Sequence, residues 1–212
     1  MTIAVFARAP VAGLVKTRLA KVLGDARAAE LYAAFVVDTL AACASAGLET
    51  TLWVAGDPDH PALVTPRGIA RCAQPDGDLG ARMAAALEAG IERAGHALVV
   101  GSDAPTLPAD YLVLASHWLA TGEADVVLGP AADGGFYLAA ARRPVRMFER
   151  VRWSARTTLA ETAERARAHG ARVALLPPWY DVDEPEDLRL LRVHLALAPE
   201  SAPATARELS HF

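Results

Sequence analysis

Cysteine is scarce in this chain. Cys43 and Cys72 are the only two in 212 residues, and neither sits in a Cys-x-x-Cys or Cys/His spacing. Neither a disulfide framework nor a zinc site is therefore indicated. The six histidines are scattered rather than grouped. An excess of positive charge is missing too: 21 Lys and Arg stand against 25 Asp and Glu, a net charge of −4. A nucleic-acid binder would carry a basic face and a high pI, so that class is excluded. No apolar run approaches the roughly 20 residues of a membrane span. The first residues carry no basic n-region of a signal peptide, so the expected location is cytoplasmic. No Gly-x-Ser-x-Gly elbow is present, which argues against a serine hydrolase of that kind. What remains is 53% hydrophobic and 22% charged, the balance of a globular protein with a full core. The charge leaves the oligomeric state open.

Short apolar runs alternate with amphipathic stretches. Strands are expected at 3–7, 50–55, 69–73, 97–101, 125–129, 136–141 and 172–176, and helices at 25–46, 79–94, 108–120, 157–169 and 185–198. Such alternation predicts an α/β fold with a mostly parallel sheet. The link between the strands at 125–129 and 136–141 is too short for a parallel crossover, so that pair should be antiparallel and the sheet mixed. Residues 1–198 are expected to form the domain. The Pro/Ala/Ser-rich residues 199–212 are expected to fray.

Ligands of open α/β sheets bind beyond the carboxyl ends of the strands. Five segments stand there. The first, Arg8 to Leu19, contains Gly13 and is expected to open a helix carrying Lys16 and Arg18. It suits a phosphate, or is simply a solvated helix start. The second, Gly101 to Pro108, presents Ser102 and Asp103, where a carboxylate can hold Mg²⁺ or Mn²⁺ or merely form a turn. The third contains Asp133, Gly134 and Gly135: either a general base beside a closely approaching backbone, or a plain hairpin turn. In the fourth, Asp181 and Asp183 lie two residues apart ahead of a helix that Asp183 could cap. With Asp103 they make a divalent-metal clamp plausible. In the fifth, Gln74 could read a nucleobase edge and Arg82 contact phosphate, with Asp78 as a helix cap the simpler account.

FARAPVAGLVKTRLA, QPDGDLGARM, GSDAPTLP, GPAADGGFYL and DVDEPEDL occur in this order over residues 3–192. Together they resemble a bacterial family of GT-A-fold glycosyltransferases, the arsenosugar-biosynthesis type among them. The family is similar to the guanylyltransferases that activate 2-phospholactate and the molybdenum cofactor. The resemblance implies a nucleotide-diphospho-sugar transferase fold, Rossmann-like, with the sheet between two helical layers. It implies that Arg8, Gly13, Lys16, Thr17 and Arg18 hold nucleotide phosphates, with Gln74, Gly80, Arg82 and Ser102 around the nucleotide. Asp103 would hold the metal, as a single carboxylate or helped by Asp183, because the fold's second aspartate is absent from Ser102-Asp103-Ala104. Asp133, Gly134 and Gly135 would shape the sugar or acceptor pocket, with Trp153 and Ser154 on the acceptor side. Asp103, Asp133 and Lys16 are the expected catalytic groups.

The expected activity is metal-dependent transfer from a nucleotide-activated donor: glycosyl transfer from a nucleotide sugar to a small acceptor. The alternatives are nucleotidyl transfer from an NTP with release of pyrophosphate, and a nucleotide-binding module without catalysis.

Overall fold

The computed structural model describes residues 1–211. Seven strands form one sheet: β1 (Thr2–Arg8), β2 (Glu49–Ala55), β3 (Ala70–Ala73), β4 (Ala97–Gly101), β5 (Val126–Pro130), β6 (Phe136–Ala141) and β7 (Val173–Leu175). The helices are α1 (Thr17–Leu23), α2 (Asp25–Ser45), α3 (Leu79–Ala94), α4 (Ala109–Thr121), α5 (Thr158–Ala168), α6 (Pro185–Leu197) and α7 (Pro203–Leu209), with a single 3-10 turn at Pro199–Ser201. This is an α/β fold built on one mixed, mostly parallel sheet.

β1 is apolar on both faces because both faces are covered. Ile3, Val5 and Ala7 join one core with Leu31, Phe35 and Leu40 of α2 and Leu112 and Leu119 of α4. Ala4 and Phe6, one residue out of phase, join a second core with Met83 and Leu87 of α3 and Ala163 and Ala166 of α5. The period of two along a strand thus divides one run between two helical layers. α2 has the length and mean hydropathy (1.3) of a membrane span, contrary to the expectation that no segment approaches one, yet 61% of its apolar window is buried in the protein. It is the core helix of the first layer.

The strand order is β3-β2-β1-β4-β6-β5-β7. β1 pairs in parallel with β2 on one side and β4 on the other. The chain first builds outward through β2 and β3, then returns to start the other half at β4. The order therefore reverses between β1 and β4, the switch point at which such sheets open a crevice. β6 is antiparallel to both β4 and β5, as the short link requires. β7 returns parallel to β5.

The chain terminus corrects the expectation of a frayed tail. α7 packs against α2, and Ala202, Thr205 and Leu209 are buried. Asp38 of α2, itself buried, explains why: its carboxylate accepts the N–H groups of Ala204 (3.0 Å) and Thr205 (2.7 Å) at the start of α7. A seven-residue helix, too short to stand alone whatever its propensity, is held by a tertiary cap that composition does not reveal.

Candidate functional site

The loops leaving β1 and β4 meet over the switch point. Tyr32 of α2 joins them. Its hydroxyl accepts the Arg8 N–H (2.9 Å) and pairs with Ser102 Oγ (2.8 Å). Burial first, then the nearby Asp103 carboxylate, pushes the phenol up to about 12, so it remains a neutral hydrogen-bonding strut.

Lys16 lies just before α1 rather than within it, in left-handed backbone (φ 45°). This departs from the expectation of a helix already open at Lys16. Its ammonium forms ion pairs with Asp103 Oδ1 and, at 2.7 Å, with Asp183 Oδ1. Burial would depress its pKa, but the Asp103 and Asp183 carboxylates outweigh that and hold it above the ordinary lysine value. The ammonium is a fixed positive charge and cannot serve as a base.

Asp183 arrives from the segment between β7 and α6. That segment is sewn to its neighbours by Trp179 N–H to Pro130 O (3.0 Å) and Val182 N–H to Asp103 O (2.9 Å). Thr106 Oγ1 donates to the Tyr180 hydroxyl at 3.0 Å and accepts the Trp179 indole N–H at 3.3 Å. Asp183 is not the cap of α6, contrary to one expectation. Glu184 takes that position, and Asp187 Oδ2 accepts the N–H groups of Asp183 and Glu184. The Asp183 side chain is thereby left to Lys16.

Asp181, read from the sequence only as a partner of Asp183, has a carboxyl set apart by its surroundings. Burial, reinforced by Asp133 and then by Asp183 and Asp103, pushes its carboxyl up to about 6. The signal was present in its two-residue spacing from Asp183, but nothing in the sequence shows that Asp133 and Asp103 lie close enough to add their charge.

These groups line one cavity of about 920 Å³. Arg8, Lys16, Thr17, Arg18, Arg82 and Arg156 bring hydrogen-bond donors to its wall, and Ser102, Asp103, Asp133, Asp181 and Asp183 bring acceptors. Phe6, Leu79, Met83, Phe136 and Trp153 supply an apolar side, and Ser154 and Gly135 also line it. Arg18 reaches Glu184 (3.1 Å) at the exposed rim.

Several expected residues contribute to shape rather than to the wall. Gly13 and Gly80 are not among the lining residues. A Cβ on Gly80 would lie 2.7 Å from Trp153 Cζ2 and 3.0 Å from Phe148 Cβ, so its bareness lets α3 press against the aromatic side. Gly134 (φ +94°) passes so close to Arg156 that a Cβ would meet its carbonyl oxygen at 2.4 Å. Gln74 does line the cavity, but its amide nitrogen donates to Ala7 O (3.2 Å) and Trp53 O (3.0 Å), tying β3 to β1 and β2. Its oxygen receives Arg82 Nη1 at 3.4 Å, and Arg82 Nε donates to Gly77 O at 2.9 Å. Gln74 is thus a brace for Arg82, and base reading through its amide N–H is excluded in this arrangement. Asp78 is the cap of α3, accepting Ala81 N–H at 2.8 Å. Asp133 Oδ1 accepts the Gly135 N–H at 2.7 Å, closing its own turn.

Among the described residues, no group of three or more His, Cys, Asp or Glu side chains is placed to hold a metal. Asp103 and Asp183 nevertheless converge on a single point, the Lys16 nitrogen. One or two carboxylates, with water and phosphate oxygens completing the shell, is how Mg²⁺ is usually held at phosphate sites. The donor set fits such an ion.

A family model described as "Uncharacterized protein conserved in bacteria (DUF2064)" matches residues 37–155. No curated protein matches the chain. Among solved structures, a protein of Desulfovibrio desulfuricans G20, provisionally assigned as a nucleotide-diphospho-sugar transferase, is 31% identical with a TM-score of 0.88, over 100% of this chain and 95% of that one. Rv0371c of Mycobacterium tuberculosis H37Rv, in complex with manganese, is 20% identical with a TM-score of 0.55, over 90% and 98% of the two chains. A cytidylyltransferase of Leptospira borgpetersenii is 12% identical with a TM-score of 0.61, over 99% and 92%. The last two likenesses concern the fold alone.

Proposed function

The chain belongs to the DUF2064 family, and from that premise we propose that it is a transferase acting on a nucleotide-activated donor, moving a glycosyl group from a nucleotide sugar to a small acceptor. The observation that carries this reading is the convergence of Lys16, Asp103 and Asp183 on the wall of a cavity at the switch point of the sheet. A volume of about 920 Å³ supports it further, because small-molecule sites run to roughly 300–1,000 Å³ and this one lies near the top of that range. Donor and acceptor have room to lie side by side.

In such a reaction negative charge grows on the departing phosphate oxygens. Lys16, Arg8 and Arg18 offer fixed positive charge where the donor phosphates would lie. Asp103 and Asp183 are the residues that would hold a divalent ion, which supplies Lewis-acid stabilisation of the same charge. Asp181, with its carboxyl near 6, is the best-matched proton acceptor for an acceptor hydroxyl. Asp133, committed through Oδ1 to its own turn, would orient the acceptor through its other oxygen. Trp153 and Phe136 give that acceptor an apolar surface to lie on.

The test is a thermal-shift panel of UDP-, GDP-, dTDP- and ADP-sugars against GTP, CTP, ATP and UTP, with Mg²⁺, Mn²⁺ or EDTA, in wild type and Asp103→Ala. A ligand at 100 times its dissociation constant adds about 2.7 kcal/mol of stability. Metal-dependent stabilisation by a nucleotide sugar, lost in Asp103→Ala, is the expected result. Stabilisation by an NTP and by no nucleotide sugar would replace glycosyl transfer with nucleotidyl transfer. Binding without donor hydrolysis or transfer under any metal would replace both with a silent nucleotide-binding module. No response to any of them would remove the nucleotide reading.

A further inference from the structure

The chain has two lysines, Lys16 and Lys21, and every other basic side chain among its 21 Lys and Arg is an arginine. Lys16 is placed with unusual constraint. Its left-handed backbone is a conformation that residues other than glycine hold only where the surroundings dictate it. Its side chain is 4% exposed and its ammonium lies 5.6 Å from the ring centres of both Tyr32 and Phe35, yet the residue still lines the cavity. Asp103 comes from the end of β4 and Asp183 from the segment before α6, and each gives its Oδ1 to that one nitrogen. A compact ammonium fits between two converging oxygens in a way that the planar fork of arginine does not. The point at which the two carboxylates would share an ion is held by a cation belonging to the chain itself.

We infer that Lys16 is a resident counter-cation that makes divalent-metal binding conditional on the phosphates of the substrate. Phosphoryl oxygens draw the ammonium off Asp103 and Asp183, and only then do both carboxylates become available to the metal. The inference rests on the phosphate and metal reading above. Without a ligand, the ammonium blocks one oxygen of each carboxylate and cancels one of their two negative charges. An approaching dication meets a weakened field and a cation it must displace. With phosphate present, the ammonium has a second anionic partner on the cavity side. The coupling is reciprocal: whatever factor phosphate adds to metal affinity, metal adds to phosphate affinity. No covalent bond changes in this exchange.

Two measurements test it. Selective ¹⁵N-lysine labelling gives two side-chain signals, assigned with Lys21→Arg. Millimolar Mg²⁺ alone should leave the Lys16 signal in place, and inorganic pyrophosphate in EDTA should move it, with Lys21 as the internal control. Calorimetric titration of Mn²⁺ without nucleotide should show Lys16→Met binding at least tenfold tighter than wild type, and Lys16→Met/Asp103→Asn losing that gain. Displacement of the Lys16 signal by Mg²⁺ alone, or a Lys16→Met variant that binds Mn²⁺ no tighter than wild type, would overturn the inference. If Lys16→Met does not fold by circular dichroism, the lysine spectra decide alone. Should the nucleotide panel give no shift while Lys16→Met still gains metal, the transferase reading falls and the exchange stands. Should the panel respond while Lys16→Met gains nothing, the exchange falls alone.

Discussion

Replacing Asp38 by alanine isolates the device that turns the end of the chain into a helix. The carboxylate is buried on α2 and accepts two N–H groups, from Ala204 at 3.0 Å and Thr205 at 2.7 Å. Hydrogen bonds to a charged group contribute about 1.5–3 kcal/mol each, so losing both would cost about 3–6 kcal/mol if α7 stayed in place. The helix has another course, which is to let go and hydrate its first turn. The cost is then limited to the docking it abandons: Ala202, Thr205 and Leu209 against α2. The low end, about 3 kcal/mol, is the expected loss. For a chain of this size each kcal/mol moves the melting temperature by about 2–4 °C, so Asp38→Ala should melt about 6–12 °C lower. Scanning calorimetry measures the shift, and amide exchange over residues 199–209 reports whether α7 has detached. Asp38 does not line the cavity, so ligand-induced stabilisation should survive. A melting temperature within about 2 °C of wild type, with the amides of α7 still protected, would refute the claim that this cap holds the terminus.

Three further outcomes are expected. Thr205 Oγ1 is buried without a hydrogen-bond partner among the described residues, so Thr205→Val should raise stability by about 1 kcal/mol in a urea melt, since an unpaired buried hydroxyl costs about 1–3 kcal/mol; a loss of stability would mean that the hydroxyl is satisfied after all. Asp125 is held below the usual carboxylate range by the Arg172 backbone N–H (2.9 Å) and then by its guanidinium. A depressed carboxylate stabilises fully above its unfolded pKa of about 4 and loses that contribution as pH falls through the lower folded value. The stability gap between wild type and Asp125→Asn should therefore be widest near pH 7 and shrink below about pH 4; a gap independent of pH in urea melts counts against the pairing. Gly80→Ala should push Trp153 aside, because the new methyl would lie 2.7 Å from its ring. Tryptophan fluorescence should shift and acceptor binding weaken while donor phosphate binding holds, and an unchanged spectrum with unchanged binding would show that the wall does not depend on this contact.

Local pattern carried the fold a long way. ALVVG is β4 to the residue, since a run buried on both faces has no other use in a short segment. The direction of β6 followed from the few residues available to reach it. What lay beyond reach was held by distant partners. α7 reads as a tail because its stabilising group, Asp38, is more than 160 residues away in the sequence. The same holds at the site. Lys16, Asp103 and Asp183 stand out separately as residues at element ends, but three separated segments must converge before one ammonium can join two carboxylates. Gln74 shows the converse. Its position after β3 suggests recognition of a ligand, and the carbonyls of Ala7 in β1 and Trp53 in β2 claim its amide first.

The reversed course of β6 has a bearing on how this scaffold can change. Because β6 runs against β4 and β5, it begins where they finish, and residues 131–135 bridge β5 to β6 at the rim of the cavity. The tip of that ribbon carries Asp133 and leans on Arg156 through Gly134. Residues inserted there would lengthen a flap over the entrance and leave every strand register untouched. A change of length at this single bend would thus reshape one wall of the cavity and leave the wall that carries Lys16, Asp103 and Asp183 as it is.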